Sequence, residues 1–543
     1  MPRRLHGRAT ATAHLLAALD DTCRGTAAVV AVPGPSGVGK TELVESLRGE
    51  VLARNGLFLV GKFNQYQRDV PFSALRAALG ELADQLAAGE PAEVERLRAD
   101  LGLLVGDLGQ LLVDLVPALG PLFGPLPSVA EIAPAEARHR FGALLRRFLK
   151  VVCNPAQPVV LFLDDWQWAD DASIDLLARL EIGSSLRYLQ LVAAWRDDEV
   201  DADHPLQAAL TELDRLGVPL VTIAVPPLAP AEVAALLAEA LAPAVDAGPA
   251  LAAIVHARTG GNPYFVHSLI ELLVEEGQLA FDPAARRWRW RLDGAQLPVG
   301  LVELFARRLA RLPPEVRALL ALAASLGHRF EVEALAVAAG QPVAACVEAL
   351  DALAARGALL RPDGPGRYAF SHDRVQQAAF GLIDLAERPR LHLEIGTRLL
   401  ARGAQGGGGR DAFELVEHLN AAAPLITDPA ERVRLIALNL DAAAAAWAAT
   451  AYRAALRFHR TAAALVTAAD LDAALWREHN DLAARLALGH AEAEFLEGDP
   501  AEGRRRIAAA VAHARDPLAA AEALSVVIVH DTLHARYGDA IAA

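Results

Sequence analysis

The run Gly34-Pro35-Ser36-Gly37-Val38-Gly39-Lys40-Thr41 has the residue types and spacing to hold a chain of phosphates. It satisfies GxxxxGK[ST]. It lies between an apolar β-branched run, Ala27 to Val32, and an amphipathic stretch that reads as a helix. Glycines at 34, 37 and 39 let the loop curl so that successive backbone N–H groups face inward, and the helix start adds the positive end of its dipole. In such a loop Lys40 reaches the β- and γ-phosphates and the Thr41 hydroxyl binds Mg2+. Lys40, Lys62 and Lys150 are the only lysines in a chain with 52 basic residues. At that scarcity a chance match is on the order of one in a thousand.

A second group complements the first. In PVVLFLDDWQWADD, the apolar residues Val159 to Leu163 end at Asp164 and Asp165. A continuous apolar run is a strand buried on both faces, and its C-terminal end is where open α/β sheets bind ligands. Asp164 is placed to complete a Mg2+ shell, and Asp165 to orient or deprotonate an attacking water. Another strand, Tyr188 to Trp195, ends at Arg196. Arg196 either senses a γ-phosphate or pairs with nearby Asp197, Asp198 or Glu199. Lys62, after the strand candidate Leu57 to Gly61, approaches the nucleotide or a partner, or is a plain surface lysine; the residues leave this open.

These groups need a scaffold. With Pro219 to Val225, five strands alternate with helical segments such as Ser73 to Arg98 and Ala135 to Val151. That order is a parallel sheet with helices on both faces. From Pro230 the pattern turns helical, with Ala231 to Ala242, Gly248 to Thr259 and Tyr264 to Glu276; Gly260-Gly261-Asn262-Pro263 makes a special corner before the last. Gln278 to Leu292 reads as a hairpin whose Trp288, Trp290 and arginines form a solvated face. Pro298 to Arg356 holds four helical segments, and Gly357 to Phe370 reads as a two-stranded wing. Ser371 is a candidate N-cap for the helix after it. The remainder is helical and alanine-rich. EGDPAEG at Glu497 and YGDAIA at Tyr537 look like one interhelix turn repeated. The chain stops just inside the following helix, as a piece of a larger protein would.

Bulk properties narrow the class. A formal net charge of −15 disfavours nucleic acid as a partner. Cys23, Cys153 and Cys346 have neither metal spacing nor a disulfide pattern, which fits the cytoplasm. The N-terminus lacks the apolar run of a signal peptide. Leu101 to Phe123 carries Asp107 and Asp114 and is a poor membrane span.

In order and spacing, GKFNQYQRDVPFSAL, LFLDDWQWADDASIDLL, TGGNPYFV, RRWRW, FSHDRVQQAAF and HLN resemble the ATPase module of STAND-type signalling NTPases. The nearest likeness is the AAA-like region that lies between a serine/threonine kinase domain and GAF plus histidine-kinase domains in large bacterial proteins. The resemblance implies an α/β P-loop NTPase over 1–228, a helical lid over 229–298, a winged-helix domain over 299–385 and TPR-like repeats over 386–543. It implies that residues 34–41 are the Walker A loop, Asp164 and Asp165 the Walker B pair, and Arg196 the sensor-1 arginine. Pro263 would be the lid proline on adenine, and His372 the histidine that contacts the β-phosphate of ADP. Gly7 and Arg8 would lie near the base; the acidic residue that usually follows is Ala9 here, and Ser371 replaces a methionine. No HRD or DFG kinase motif, phospho-acceptor histidine box or C-terminal helix-turn-helix is found.

The expectation is an ATP/ADP switch with Mg2+ and slow hydrolysis. Its repeats would meet a protein partner or an output domain, and nucleotide-dependent oligomers are a further expectation. The alternatives are an ATP-dependent DNA-binding protein, either a transcription regulator or origin-recognition-like, and a non-hydrolysing scaffold.

Overall fold

The apolar runs form five parallel strands: β1 (Ala28–Pro33), β2 (Leu57–Lys62), β3 (Val159–Asp164), β4 (Leu189–Trp195) and β5 (Leu220–Thr222), in the order β2-β3-β4-β1-β5. The computed structural model describes residues 5–64, 70–87, 91–127, 134–242, 245, 248–291, 297–298, 300–355, 359–403, 411–468, 471–533 and 541. Alternate residues feed opposite cores, as the two-residue period of a strand requires. Val30, Val32, Phe58, Val160, Phe162, Val192 and Ala194 pack with Leu15 and Leu19 of the helix Ala9–Cys23. Val29, Ala31, Leu59, Leu161, Leu163 and Leu191 pack with Phe141, Leu145 and Phe148 of the helix Pro134–Val152. Both faces are therefore dry, which is why β1, β3 and β4 read as unbroken apolar runs.

β4 lies between β1 and β3. Register sets Pro33 opposite Trp195, Leu163 opposite Ala193 and Lys62 opposite Asp164. The C-terminal edge of the sheet thus carries the phosphate loop, Arg196, the Asp164-Asp165 pair and Lys62 along one line. This is the P-loop ATPase fold.

Two local expectations need correction. Ser73 to Arg98 is not one helix: Ser73–Ala87 and Pro91–Leu104 are separate, because proline at 91 cannot continue the first. β5 is shorter than its apolar run, although Ile223 N–H and Val225 N–H still donate to Ala31 O and Pro33 O. The stretch read as a two-stranded wing does hold two paired strands, and a third from earlier in the chain joins them. β8 (Arg329–Glu331), β9 (Leu360–Pro362) and β10 (Arg367–Phe370) form an antiparallel sheet in the order β8-β10-β9. Three residues between helices are too few to show a period, so β8 left no mark in the sequence.

The hairpin forms as β6 (Leu279–Asp282) and β7 (Arg287–Trp290). One apolar core runs from Leu228 to Leu399 and joins it to the surrounding helices and the three-stranded sheet. Beyond lie paired helices, Pro429–Ala448 with Tyr452–Ala468 and Asn480–Glu497 with Pro500–Ala512, then Pro517–Leu533. This TPR-like array touches the sheet region. Val70 and Ala172 pack into its core, Arg138 pairs with Glu497 at 2.6 Å, and Arg453 reaches Asp171 at 3.4 Å. The glycine run at 406–409 and the second turn at 537 lie outside the described residues. Among the described residues no single helix is long and apolar enough to cross a membrane.

Candidate functional site

The phosphate loop is held from outside through its carbonyls. Lys40 Nζ donates to Gly34 O at 2.7 Å and Pro35 O at 2.9 Å. Asn262 Nδ2 donates to Ser36 O at 2.6 Å, the Tyr264 N–H to Gly37 O at 3.2 Å, and Arg8 Nη2 to Val38 O at 3.0 Å. A trans peptide points its N–H opposite its C=O. With the carbonyls of Ser36, Gly37 and Val38 taken by outside donors, the following amides are turned the other way, as an anion cradle needs. Gly37 sits at φ +76°, and a Cβ there would lie 2.9 Å from Asn262 Oδ1. Burial pulls the Lys40 ammonium below its ordinary pKa, against the fields of Asp164 and Asp165. Ser36 Oγ is buried without a hydrogen-bond partner. A buried ammonium that meets only backbone carbonyls, beside an unmatched hydroxyl, fits a phosphate chain.

The metal-binding candidates meet. Thr41 Oγ1 donates to Asp164 Oδ2 at 2.8 Å. Burial, and then the adjacent Asp165, push Asp164 up to about 6. A hydroxyl and a carboxylate are hard oxygen donors, the set Mg2+ takes.

Asp165 is left-handed, at φ +58° and ψ +46°. It sits 2.7 Å from Lys62 Nζ and 3.7 Å from Arg196 Nε, and it accepts from Gln167 Nε2 at 2.8 Å. Arg196 is 2% exposed and lies over the Trp168 ring. Its Nη1 meets Glu199 at 2.7 Å, one of the pairings left open from sequence. Its Nη2 meets Asp373 Oδ2 at 2.6 Å.

Asp373 was missed as a site residue, although the sequence marks its neighbour His372. Its carboxylate also lies 3.5 Å from Lys62 Nζ and 3.0 Å from His328 Nδ1. Burial alone would raise its pKa; Lys62 and His328 outweigh that and hold it well below the usual range. On Lys62 burial acts downward, and Asp165, Asp373 and Asp164 together raise the ammonium above its ordinary value. Breaking one partner from such a buried set leaves an uncompensated charge, at about 3–5 kcal/mol. The ion pairs therefore fix geometry more than they add stability.

His372, not Ser371, caps the next helix: His372 Nδ1 accepts from the Arg374 N–H at 3.1 Å. A residue in extended conformation one position before Asp373 can reach back to the second amide, which Ser371 cannot. Burial drives His372 down to about 3, so the ring is neutral, with its proton on Nε2. It stacks on Tyr264 at 4.2 Å. Pro263 begins the helix Pro263–Glu275, with Asn262 as its N-cap. Gly261 makes that corner possible. At φ +75°, a Cβ on it would lie 2.0 Å from Leu228 O. Beside Gly7 and Arg8, the missing acid of the N-terminal motif is met by Glu232 of another helix, whose charge faces Arg8. Gln167, Asn262 and Tyr264 lie in stretches quoted for the family likeness but were given no role from sequence, and Glu232 lies in none of them.

Residues 4–192 match the family model described as AAA ATPase domain. A curated relative, "Hybrid signal transduction histidine kinase G" of Dictyostelium discoideum, is 23% identical over 99% of this chain. The chain spans 19% of that relative's length. Among solved structures, a STAND protein with a tetratricopeptide repeat sensor from Pyrococcus horikoshii aligns over 99% of this chain and 77% of its own, at 13% identity and TM-score 0.43. The Aeropyrum pernix ORC1 protein, solved in complex with DNA, aligns over 70% and 94%, at 17% identity and TM-score 0.33.

Proposed function

We propose that the AAA ATPase domain of residues 4–192 is the nucleotide-binding half of a signalling switch, which binds ATP or ADP with Mg2+ and hydrolyses ATP slowly. The observation that carries the reading is the loop with its carbonyls tied outward, joined through Thr41 to Asp164 at 2.8 Å. Residues 34–41 would cradle the phosphates, with Lys40 as their counter-charge, and Thr41 and Asp164 would hold the Mg2+. The metal would supply Lewis-acid stabilisation of phosphoryl charge. Asp165 would take the proton of the attacking water once Lys62 lets it go, and Arg196 would face the terminal phosphate. Pro263 and Arg8 would border the base, and His372 the β-phosphate of ADP.

Three parts of the chain would then answer to one ligand: the sheet, the Pro263 corner and the segment with His372. The TPR-like helices would pass that state to a protein partner or an output domain. Nucleotide-dependent oligomers belong to the same reading, as does a cytoplasmic setting. The signalling role is supported by the relative's name alone; the net charge of −15 speaks against a nucleic-acid partner.

Titration with fluorescent ADP and ATP, with and without Mg2+, tests this. Lys40→Ala is expected to abolish binding. Asp165→Asn is expected to bind as the wild type does and to lose turnover by at least about a hundredfold, the scale of a general base. Wild-type turnover in Asp165→Asn removes that residue from the chemistry.

A further inference from the structure

Lys62 has no part in the phosphate loop, yet it stands at the centre of the charge network. It is one of three lysines in the chain, at the last position of β2, opposite Asp164. Its ammonium touches Asp165 at 2.7 Å, Asp373 at 3.5 Å and Asp164 at 3.8 Å. Arg196, from the end of β4, holds the same Asp373 oxygen at 2.6 Å. Two cations from two sheet strands therefore converge on one carboxylate oxygen. That carboxylate comes from the first turn of the helix Asp373–Phe380, far along the chain. The seat is next to the phosphate loop: Asp164 bonds both the loop's Thr41 and the Lys62 cation, and the charge of Arg196 is felt at Lys40.

We infer that Lys62 and Arg196 form a seat for the terminal phosphoryl group of a nucleoside triphosphate, and that Asp373 fills this seat in the arrangement seen here. The inference rests on the nucleotide reading above and adds what distinguishes the two ligands. One pair of cations, Arg196 buried and Lys62 22% exposed, cannot serve a carboxylate and a γ-phosphate together without bringing two anions into contact. A diphosphate lacks that group and leaves Asp373 in place. A triphosphate competes for the seat and must dislodge Asp373, and with it the segment that carries His372. Lys62 also acts through Asp165. While Lys62 is divided between Asp165 and Asp373, the Asp165 carboxylate is held in an ion pair at 2.7 Å. Lys62 is thus a specificity and positioning residue: it reads the third phosphate and sets when Asp165 is free.

The test is the ratio of affinities for fluorescent ADP and for ATPγS, with Mg2+, in the full chain. Asp373→Asn removes the internal competitor at constant shape and is expected to move the ratio toward ATPγS by about tenfold, within the range of ligand couplings. Lys62→Gln is expected to weaken ATPγS by about tenfold and ADP by less than about twofold, and Lys62→Arg to restore most of the loss. An unmoved ratio in Asp373→Asn overturns the inference, as does a Lys62→Gln chain that loses both nucleotides equally. If Lys62→Gln does not fold, Asp373→Asn alone decides. A wild type that binds neither nucleotide defeats the nucleotide reading and this inference with it; tight binding with a fixed ratio defeats only the inference.

Discussion

At the scale of single residues, two kinds of position differ in how far they could be read. The loop from Gly34 to Thr41 declares itself, because its chemistry needs neighbours in sequence. Asp373 does not. Its partners Lys62 and Arg196 lie 311 and 177 residues away, and a charge pair over such separations has no local pattern. Only its neighbour His372 was marked, through family likeness. His372 itself is neutral at ordinary pH because burial drives its pKa to about 3, and its flat ring lies on Tyr264. On the proposed reading, its hold on a diphosphate would therefore be a neutral contact. His372→Ala is expected to raise the rate of ADP release by about tenfold, the size of a stacked pair plus one hydrogen bond. Displacement of fluorescent ADP in a stopped-flow instrument measures it, and equal rates in the two proteins remove His372 from the contact.

At the scale of elements, every strand among the described residues was legible except the three-residue β8. β3 is apolar up to Asp164 and β4 is apolar but for Gln190, whereas β8 has only three residues. The corner at Gly260-Gly261-Asn262-Pro263 was legible as a corner. That its asparagine and tyrosine grip the phosphate loop was not, since hydrogen bonds to carbonyls ask nothing of the partner's sequence. The repeat helices make a separate prediction. Glu494 is 2% exposed, lies 3.0 Å from His490 Nε2, and is bonded twice by Arg460 at 2.8 Å. Burial alone would raise its pKa. The bonds from Arg460, the Asp499 N–H and His490 reverse that and bring it to about 2, against an ordinary 4.5. A depressed carboxyl stabilises the fold fully above the unfolded value and loses that contribution as pH falls through the folded one. Glu494→Gln is therefore expected to lower the stability of the repeats by about 2 kcal/mol at neutral pH. The gap to wild type should close between pH 4.5 and about 2. Denaturant unfolding across that range checks it, and a gap independent of pH contradicts the assignment.

At the scale of the whole molecule, the phosphate loop is enclosed from several directions. The helix Pro263–Glu275 holds its carbonyls, the segment at Asp373 plugs the strand ends, and the repeats meet the sheet region through Val70, Ala172, the Arg138–Glu497 pair and the Arg453–Asp171 pair. None of these contacts is local, so the sequence could order the parts but not close them on one another. The central claim is that this closure answers to nucleotide. The most direct measurement is the distance, by paired labels on an exposed position of the sheet region and on exposed Leu382 just after the helix Asp373–Phe380, with ADP and then with ATPγS, both with Mg2+. The account predicts a short, narrow distance in ADP and a longer one in ATPγS that Lys40→Ala abolishes. One unchanging distance in both nucleotides, each bound tightly, would contradict it.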